Sequence, residues 1–164
     1  MAPSKEHSAS PKSRREGGGH RFGPSNGSIF HDIRVKLTAA GLRPTRQRMA
    51  LGYLLFTKGD RHVTAEMLEE EALASRVSIS LATIYNSLHQ FTLAGLLREV
   101  TIDGSRTYFD TNTSAHHHFM VEGSNVLIDI PSIAVDRQAI PPLPPGKRIA
   151  SVDVIVRLCD DPSA

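Results

Sequence analysis

Residues 114–130 read SAHHHFMVEGSNVLIDI: three consecutive histidines opening an apolar run, a Gly-Ser-Asn interruption, and a second apolar run holding one aspartate. Imidazoles and a carboxylate at this density can hold a metal or haem iron, or merely form the polar start of a strand. In an extended strand His116 and His118 point to one face and His117 to the other. If Gly123-Ser124 is a two-residue hairpin loop, Glu122 faces Asn125 and His118 stands directly across from Asp129, with Cβ atoms ~5 Å apart. Two histidines and one carboxylate then share a face. Slipping the register by one residue puts Ile128 or Ile130 opposite His118 instead, so the cluster depends on the turn. Two more donors are candidates: Asp110, six residues before His116, and His62, between two helical segments. Such nitrogen and oxygen ligands suit Mn²⁺, Fe²⁺ or Zn²⁺. The single cysteine, Cys159, permits neither an internal disulfide nor a Cys-x-x-Cys zinc site.

The elements that must position these groups are legible upstream. Ile33, Leu37 and Ala40 fall on one helical face, and Gly41 supplies a stop. A second helix starts with Thr45 as N-cap, presents Met49, Leu51, Tyr53, Leu54 and Leu55 as apolar surface, and ends at Lys58-Gly59-Asp60. Thr64 caps a third, with Glu66 in its first turn where its charge complements the helix dipole. Ser80 caps a fourth, in which Leu81, Ile84, Leu88 and Phe91 form one stripe at the 3.6-residue period. Ala82, Asn86, His89 and Gln90 lie roughly opposite, flanked by Thr83 and Tyr85. Two β-prone runs around Asp103-Gly104 then predict a hairpin. Four helices and a hairpin over residues 28–111 predict a winged helix-turn-helix, with the fourth helix reading DNA and the hairpin as wing; a winged helix that binds protein has the same pattern. Asn86 and Gln90 would pair with adenine edges and Ala82 would meet thymine methyls, while Arg43, Arg46 and Arg48 would grip phosphates.

Residues 1–27 carry five basic against two acidic side chains among Ser, Gly and Pro, and read as a flexible basic arm. Residues 112–164 read as a small α/β unit: strand, turn and strand over 116–130, a short helix over 131–138, a Pro-rich crossover, and a final strand within IASVDVIVRL. In that strand Ala150, Val152, Val154, Val156 and Leu158 make the apolar face, and Ile149, Ser151, Asp153, Ile155 and Arg157 the other. About 50 residues is marginal for an independent core, so a homodimer through this part is expected. The class is thus α+β. The N-terminus lacks a secretory apolar stretch, and no run approaches the ~20 apolar residues of a membrane span, which predicts a soluble cytoplasmic protein without a membrane partner. There is no G-x-S-x-G, P-loop, dinucleotide fingerprint or H-E-x-x-H, which argues against an enzyme. A small metal-dependent hydrolase using the His/Asp cluster is the alternative from that class, and it would need an open cleft.

The segments GLRPTRQRMALGYLLF, RHVTAEMLEEEA, SLATIYNSLHQFTLAGLL and GSRTYFDTNTSAHHHFMVEGSNVLIDI together resemble the ferric uptake regulator family, and most of all its iron response regulator branch. The resemblance runs from about Ile29 to Leu158. It implies a homodimeric regulator of iron and haem genes that binds a dyad-symmetric double-stranded operator through an N-terminal winged helix and dimerises through a C-terminal α/β domain. The family's regulatory metal ligands fall on His62, Asp110, His116, His118 and Asp129. The implied ion is Mn²⁺ or Fe²⁺, with Zn²⁺ as an occupant after purification. The branch associates the triplet His116, His117 and His118 with haem. Aspartates at 110 and 129, in place of glutamates, resemble the peroxide-sensing members, which makes a peroxide-responsive repressor the first alternative. Two departures stand out. Val121 and Ser124 occupy the positions of the first cysteine pair, so no structural four-cysteine zinc is expected. Ser28-Ile29-Phe30-His31-Asp32 lacks the cysteine of the branch's N-terminal haem motif.

Overall fold

The computed structural model describes residues 26–102, 106–124, 126–134, 136 and 139–163. Its order is α1 (Asn26–Ala39), α2 (Arg46–Phe56), β1 (His62–Val63), α3 (Ala65–Ala74), α4 (Leu81–Leu93), β2 (Arg98–Ile102), β3 (Arg106–Asp110), β4 (His117–Val121), β5 (Leu127–Ile130) and β6 (Ile155–Leu158). Most of the arm expected over 1–27 lies outside the described residues, and its last two, Asn26 and Gly27, open α1. The expected helix starts at Thr45, Thr64 and Ser80 and the stop at Gly41 hold, while α1 begins earlier, at Asn26, and α2 ends at Phe56, short of Lys58. Thr45, Thr64 and Ser80 each accept a hydrogen bond from the amide three residues on, that of Arg48, Met67 and Thr83 respectively. Gly41, at φ +75°, ends α1 in a Schellman turn: Leu42 N donates to Leu37 O at 2.9 Å and Gly41 N to Thr38 O at 3.0 Å.

Three strands in the order β1-β3-β2 form the first sheet, and β5-β4-β6 the second. Strands β2 and β3 pair antiparallel with Ile102 opposite Arg106, which makes the wing hairpin, though its tip at Asp103-Gly104 lies outside the described residues. Because strand side chains alternate, β3 is sandwiched. Phe109 joins Leu97 and Val63 in the helical core with Leu51, Leu55, Leu68, Ile84, Leu88 and Phe91. Tyr108, with Val100 and Ile102, faces the other way and packs against Leu127, Met120 and Ile155 of the second sheet. The wing is therefore shared between the two cores.

Two expectations for the C-terminal part differ from the structure. No helix forms among the described residues of 131–138. Two turns of helix are unstable unless an apolar face is buried, and Ile133 remains 47% exposed. The final strand is confined to Ile155–Leu158, parallel to β4, with His118 opposite Ile155. Its faces are also divided otherwise than alternation implied: Ile155, from the face read as the more polar, packs against the core shared with the wing. Val152 and Leu158, from the apolar face, stay exposed.

Helices α1 and α2 approach most closely at Gly52, where an added Cβ would stand 2.8 Å from the Ile33 Cγ2 methyl. That methyl belongs to a stiff, β-branched core side chain and has nowhere to swing. Gly52→Val is expected to destabilise the fold by about 1–3 kcal/mol in urea denaturation, whereas a neutral effect would show that α1 shifts freely.

Candidate metal centre

The two sheets meet where their strand ends carry ionisable groups. In the first, β1 pairs with β3 so that His62 stands opposite Asp110. Asp110 shares the face of Tyr108, so it points towards the second sheet. In the second, β4 and β5 pair with His118 opposite Asp129 and His117 opposite Ile130, the register that the Gly123-Ser124 turn predicts. Gly123 has φ +73°, and Ser124 N donates back to Val121 O at 3.2 Å; Asn125 is outside the described residues. His116 lies just before β4, on the face of His118.

One donor atom from each of His62, Asp110, His116, His118 and Asp129 lies within 4.8 Å of all the others. Asp110 Oδ2 is 2.9 Å from His116 Nε2, 3.5 Å from His118 Nε2 and 3.6 Å from His62 Nε2. Asp129 Oδ1 is 2.9 Å from His62 Nε2 and 3.4 Å from His116 Nε2. Asp110 has no exposure and His118 only 1%. Yet Asp110 Oδ2 and His62 Nε2 are buried without a satisfied hydrogen bond. Buried polar atoms aimed at a common point and not bonded to one another fit a cation between them. His116 Nδ1 faces the Ser114 carbonyl at 2.9 Å. A carbonyl can only accept, so Nδ1 carries the proton and Nε2 keeps a lone pair for the cluster. His116 Nε2 and His118 Nε2 are 3.0 Å apart, room for one proton, which a cation would displace.

The electrostatics favour the ligating forms. Burial raises the Asp110 carboxyl, but His62 and the Asn112 amide hold it below its ordinary value, keeping it ionised. Burial, with the neighbouring His62 and His116, pushes His118 down and keeps it neutral. Three imidazoles and two carboxylates form a set for Mn²⁺, Fe²⁺ or Zn²⁺.

His117 is separated from this cluster by the strand itself. It is buried on the opposite face, where Val154 N donates to its Nδ1 at 3.4 Å. The expected haem set of His116, His117 and His118 is thus split between two faces, and one iron cannot take all three from this geometry.

The expected DNA-reading face is arranged as the helical period requires. Ala82, Tyr85, Asn86, His89 and Gln90 are exposed on α4, while Ile84, Leu88 and Phe91 are buried. Arg43 and Arg46 are exposed at the start of α2. Others of the set are already engaged within the chain. Arg48 donates through Nη1 to Arg43 O at 2.8 Å and through Nη2 to Gln90 Oε1, bracing α2 against α4. Thr83 Oγ1 lies 2.9 Å from Ser80 Oγ in the helix cap, and Tyr85 OH donates to Glu66 Oε1 at 2.6 Å. Arg76, which periodicity did not single out, lines a cleft of about 590 Å³ together with Arg46, Gln47 and Ser78. Its only sequence signal is a cation between two helices.

Two other residues outside the expected set hold the centre in place. Arg61 fixes the segment bearing His62: its backbone N donates to Thr111 Oγ1 at 2.8 Å, and its guanidinium reaches Leu54 O and both oxygens of Glu71. Arg98 crosses from the wing to the second sheet, donating to His116 O at 3.1 Å and pairing with Asp153.

Residues 39–140 match the sequence model of the Ferric uptake regulator family. The chain is 36% identical, over 106 residues, to the peroxide-responsive repressor PerR of Staphylococcus aureus, covering 62% of this chain and 70% of that one. In fold it is similar to the ferric uptake regulator of Pseudomonas aeruginosa solved with manganese, at 22% identity and a TM-score of 0.59, covering 78% of this chain and 97% of that one. It is also similar to the ferric uptake regulator of Francisella tularensis solved with iron, at 18% identity and a TM-score of 0.63, covering 73% and 92%.

The brace beneath His62 has a pH signature. The Glu71 carboxyl lies below its ordinary 4.5, chiefly because Arg61 donates to it, against partial burial and with Lys58 assisting. A depressed carboxyl pKa contributes stability that is complete above the unfolded value and lost as pH falls through the folded one. Glu71→Gln is expected to lower unfolding free energy by roughly 1 kcal/mol at neutral pH. The gap to wild type should close as pH falls below 4.5; a gap unchanged at acid pH in urea titrations contradicts this.

Proposed function

The chain belongs to the ferric uptake regulator family, and from that premise we propose that it is a sequence-specific DNA-binding repressor of iron homeostasis, cytoplasmic and homodimeric, that answers to bound Mn²⁺ or Fe²⁺. Its family is one of regulators, so the chain is not an enzyme, and the hydrolase alternative falls with that. The observation that carries the reading is the five-donor cluster at the junction of the two sheets. A divalent ion there would supply the positive charge that two inward-facing carboxylates call for. His62 and Asp110 belong to the sheet that continues into the wing, and His118 and Asp129 to the second sheet. Drawing them together fixes the attitude of residues 28–111, assigned to DNA reading, against residues 112–164, assigned to sensing and dimerisation. In a dimer that attitude sets the spacing of two α4 helices against two half-sites, which is how metal binding couples to DNA affinity. The homodimer is supported by exposed apolar groups on the second unit, among them Ile128, Ile133, Ile149 and Val152. Among the described residues no helix is long and apolar enough to cross a membrane. Haem recognition by the whole histidine triplet is not part of this reading, because His117 lies across the strand.

A second reading, peroxide response, is favoured by the similarity to a peroxide-responsive repressor and by aspartates, not glutamates, at 110 and 129.

In a mobility-shift assay on a dyad-symmetric promoter fragment, Mn²⁺ should strengthen a salt-sensitive complex, and His116→Ala combined with His118→Ala should abolish that metal dependence. Asn86→Ala should relax base preference, whereas Arg46→Ala should weaken all sequences alike and reduce the salt slope by about one. Equal Mn²⁺ stoichiometry in wild type and the double variant would falsify the metal assignment. For peroxide response, mass spectrometry of Fe²⁺-loaded protein treated with hydrogen peroxide should find an added oxygen on His62 or His116; unmodified histidines remove that reading.

A further inference from the structure

Between the wing and the triplet runs Thr111-Asn112-Thr113-Ser114-Ala115, which has neither metal-ligating nor apolar character. Asn112 nonetheless touches the candidate centre by three routes. Its backbone N donates to Asp110 Oδ1 at 2.8 Å, leaving Oδ2 to face the histidines. Its side-chain Nδ2 donates to Asp129 Oδ2 at 2.9 Å, leaving Oδ1 to face them. Its Oδ1 accepts from Ser114 N at 3.1 Å and Ser114 Oγ at 2.6 Å, and Ser114 O in turn receives His116 Nδ1. The amide orientation follows from chemistry. A backbone N–H can only donate, so the atom facing Ser114 N is the oxygen and the one facing the Asp129 carboxylate is the NH₂.

We propose that Asn112 is the positioning residue of the metal centre, aiming one oxygen of each carboxylate and the lone pair of His116 at a single point. It therefore pre-assembles ligands from both sheets. The physical ground is that a carboxylate with one oxygen held by an N–H presents the other in a fixed direction, and a ligand set held this way loses little freedom on binding. Asp129 needs this most. It lies at a sheet edge with its side chain 33% exposed, and would otherwise turn to water. The inference rests on the metal reading above and adds a residue outside the ligand set.

Asn112→Asp separates the two side-chain roles. It keeps an oxygen to accept from Ser114, so the turn and the His116 arm are retained, and it withdraws the N–H from Asp129. Asn112→Ala removes both. Expected for Asn112→Asp are a metal-free melting temperature lowered only while Asp129 is present to repel the new carboxylate, a ~10–100-fold weaker Mn²⁺ affinity, and an altered visible spectrum with Co²⁺. Asn112→Ala should bind Mn²⁺ at least as weakly. In an Asp129→Ala background, Asn112→Asp should change Mn²⁺ affinity little, since the carboxylate it aims is gone. Wild-type Mn²⁺ affinity and Co²⁺ spectrum in Asn112→Asp would overturn the proposal while leaving the metal reading intact. So would a loss of affinity matched by a lowered metal-free melting temperature and undiminished in the Asp129→Ala background, which marks a merely structural turn. Failure of the wild type itself to bind Mn²⁺ would sink the metal reading, and this inference with it.

Discussion

The arrangement turns on one buried carboxylate. Asp110 ends β3 with no exposure to water, and a charge in that position costs several kcal/mol unless donors surround it. The surroundings supply one for Oδ1 and leave Oδ2 facing the histidines without a satisfied hydrogen bond. His62 stands opposite on β1, the Asn112 amide closes over one oxygen, and His116 and His118 approach the other from the second sheet. No group of the first sheet alone completes this shell. Groups of both sheets therefore converge on Asp110, and its unsatisfied oxygen makes the point attractive to a cation.

The apolar contacts on either side reinforce this geometry. Phe109 points into the helical core that carries α4, and Tyr108 points into the core shared with Leu127, Met120 and Ile155. A single strand thus has one side chain in each core and ends in the ligand between them. Arg98 adds a polar tie from β2 to the His116 carbonyl and to Asp153. Between the centre and α4 lie packed strand and helix: Phe109, next to Asp110 on β3, is buried with Ile84, Leu88 and Phe91 of α4.

Much of this was legible in the chain. Local rules placed the helix starts at Thr45, Thr64 and Ser80, the stop at Gly41, and the division of α4 into a buried stripe and an exposed face. The His118–Asp129 pairing followed from one turn, because a hairpin loop sets the register of everything beyond it. Other features were illegible for definite reasons. The helix expected over 131–138 does not form among the described residues, where Ile133 stays exposed. The final strand had alternation on both faces, and its inward face was chosen by the wing, a partner some fifty residues earlier in sequence. Arg48 and Gln90, each suited to DNA, turned out to bond each other.

By itself, then, the sequence determined what depends on neighbours a few residues away: caps, stops, turn, register, the alternate facing of His116 and His118 against His117, and the family resemblance. Only the tertiary structure decided how His62 and Asp110, on a different sheet, converge with His116, His118 and Asp129 within 4.8 Å. It also decided that Asn112, an unremarkable loop amide, holds both carboxylates. The reason is that convergence is a property of two packed sheets. It is set by which faces the cores bury and how a buried charge is compensated, and no local pattern in the chain encodes either.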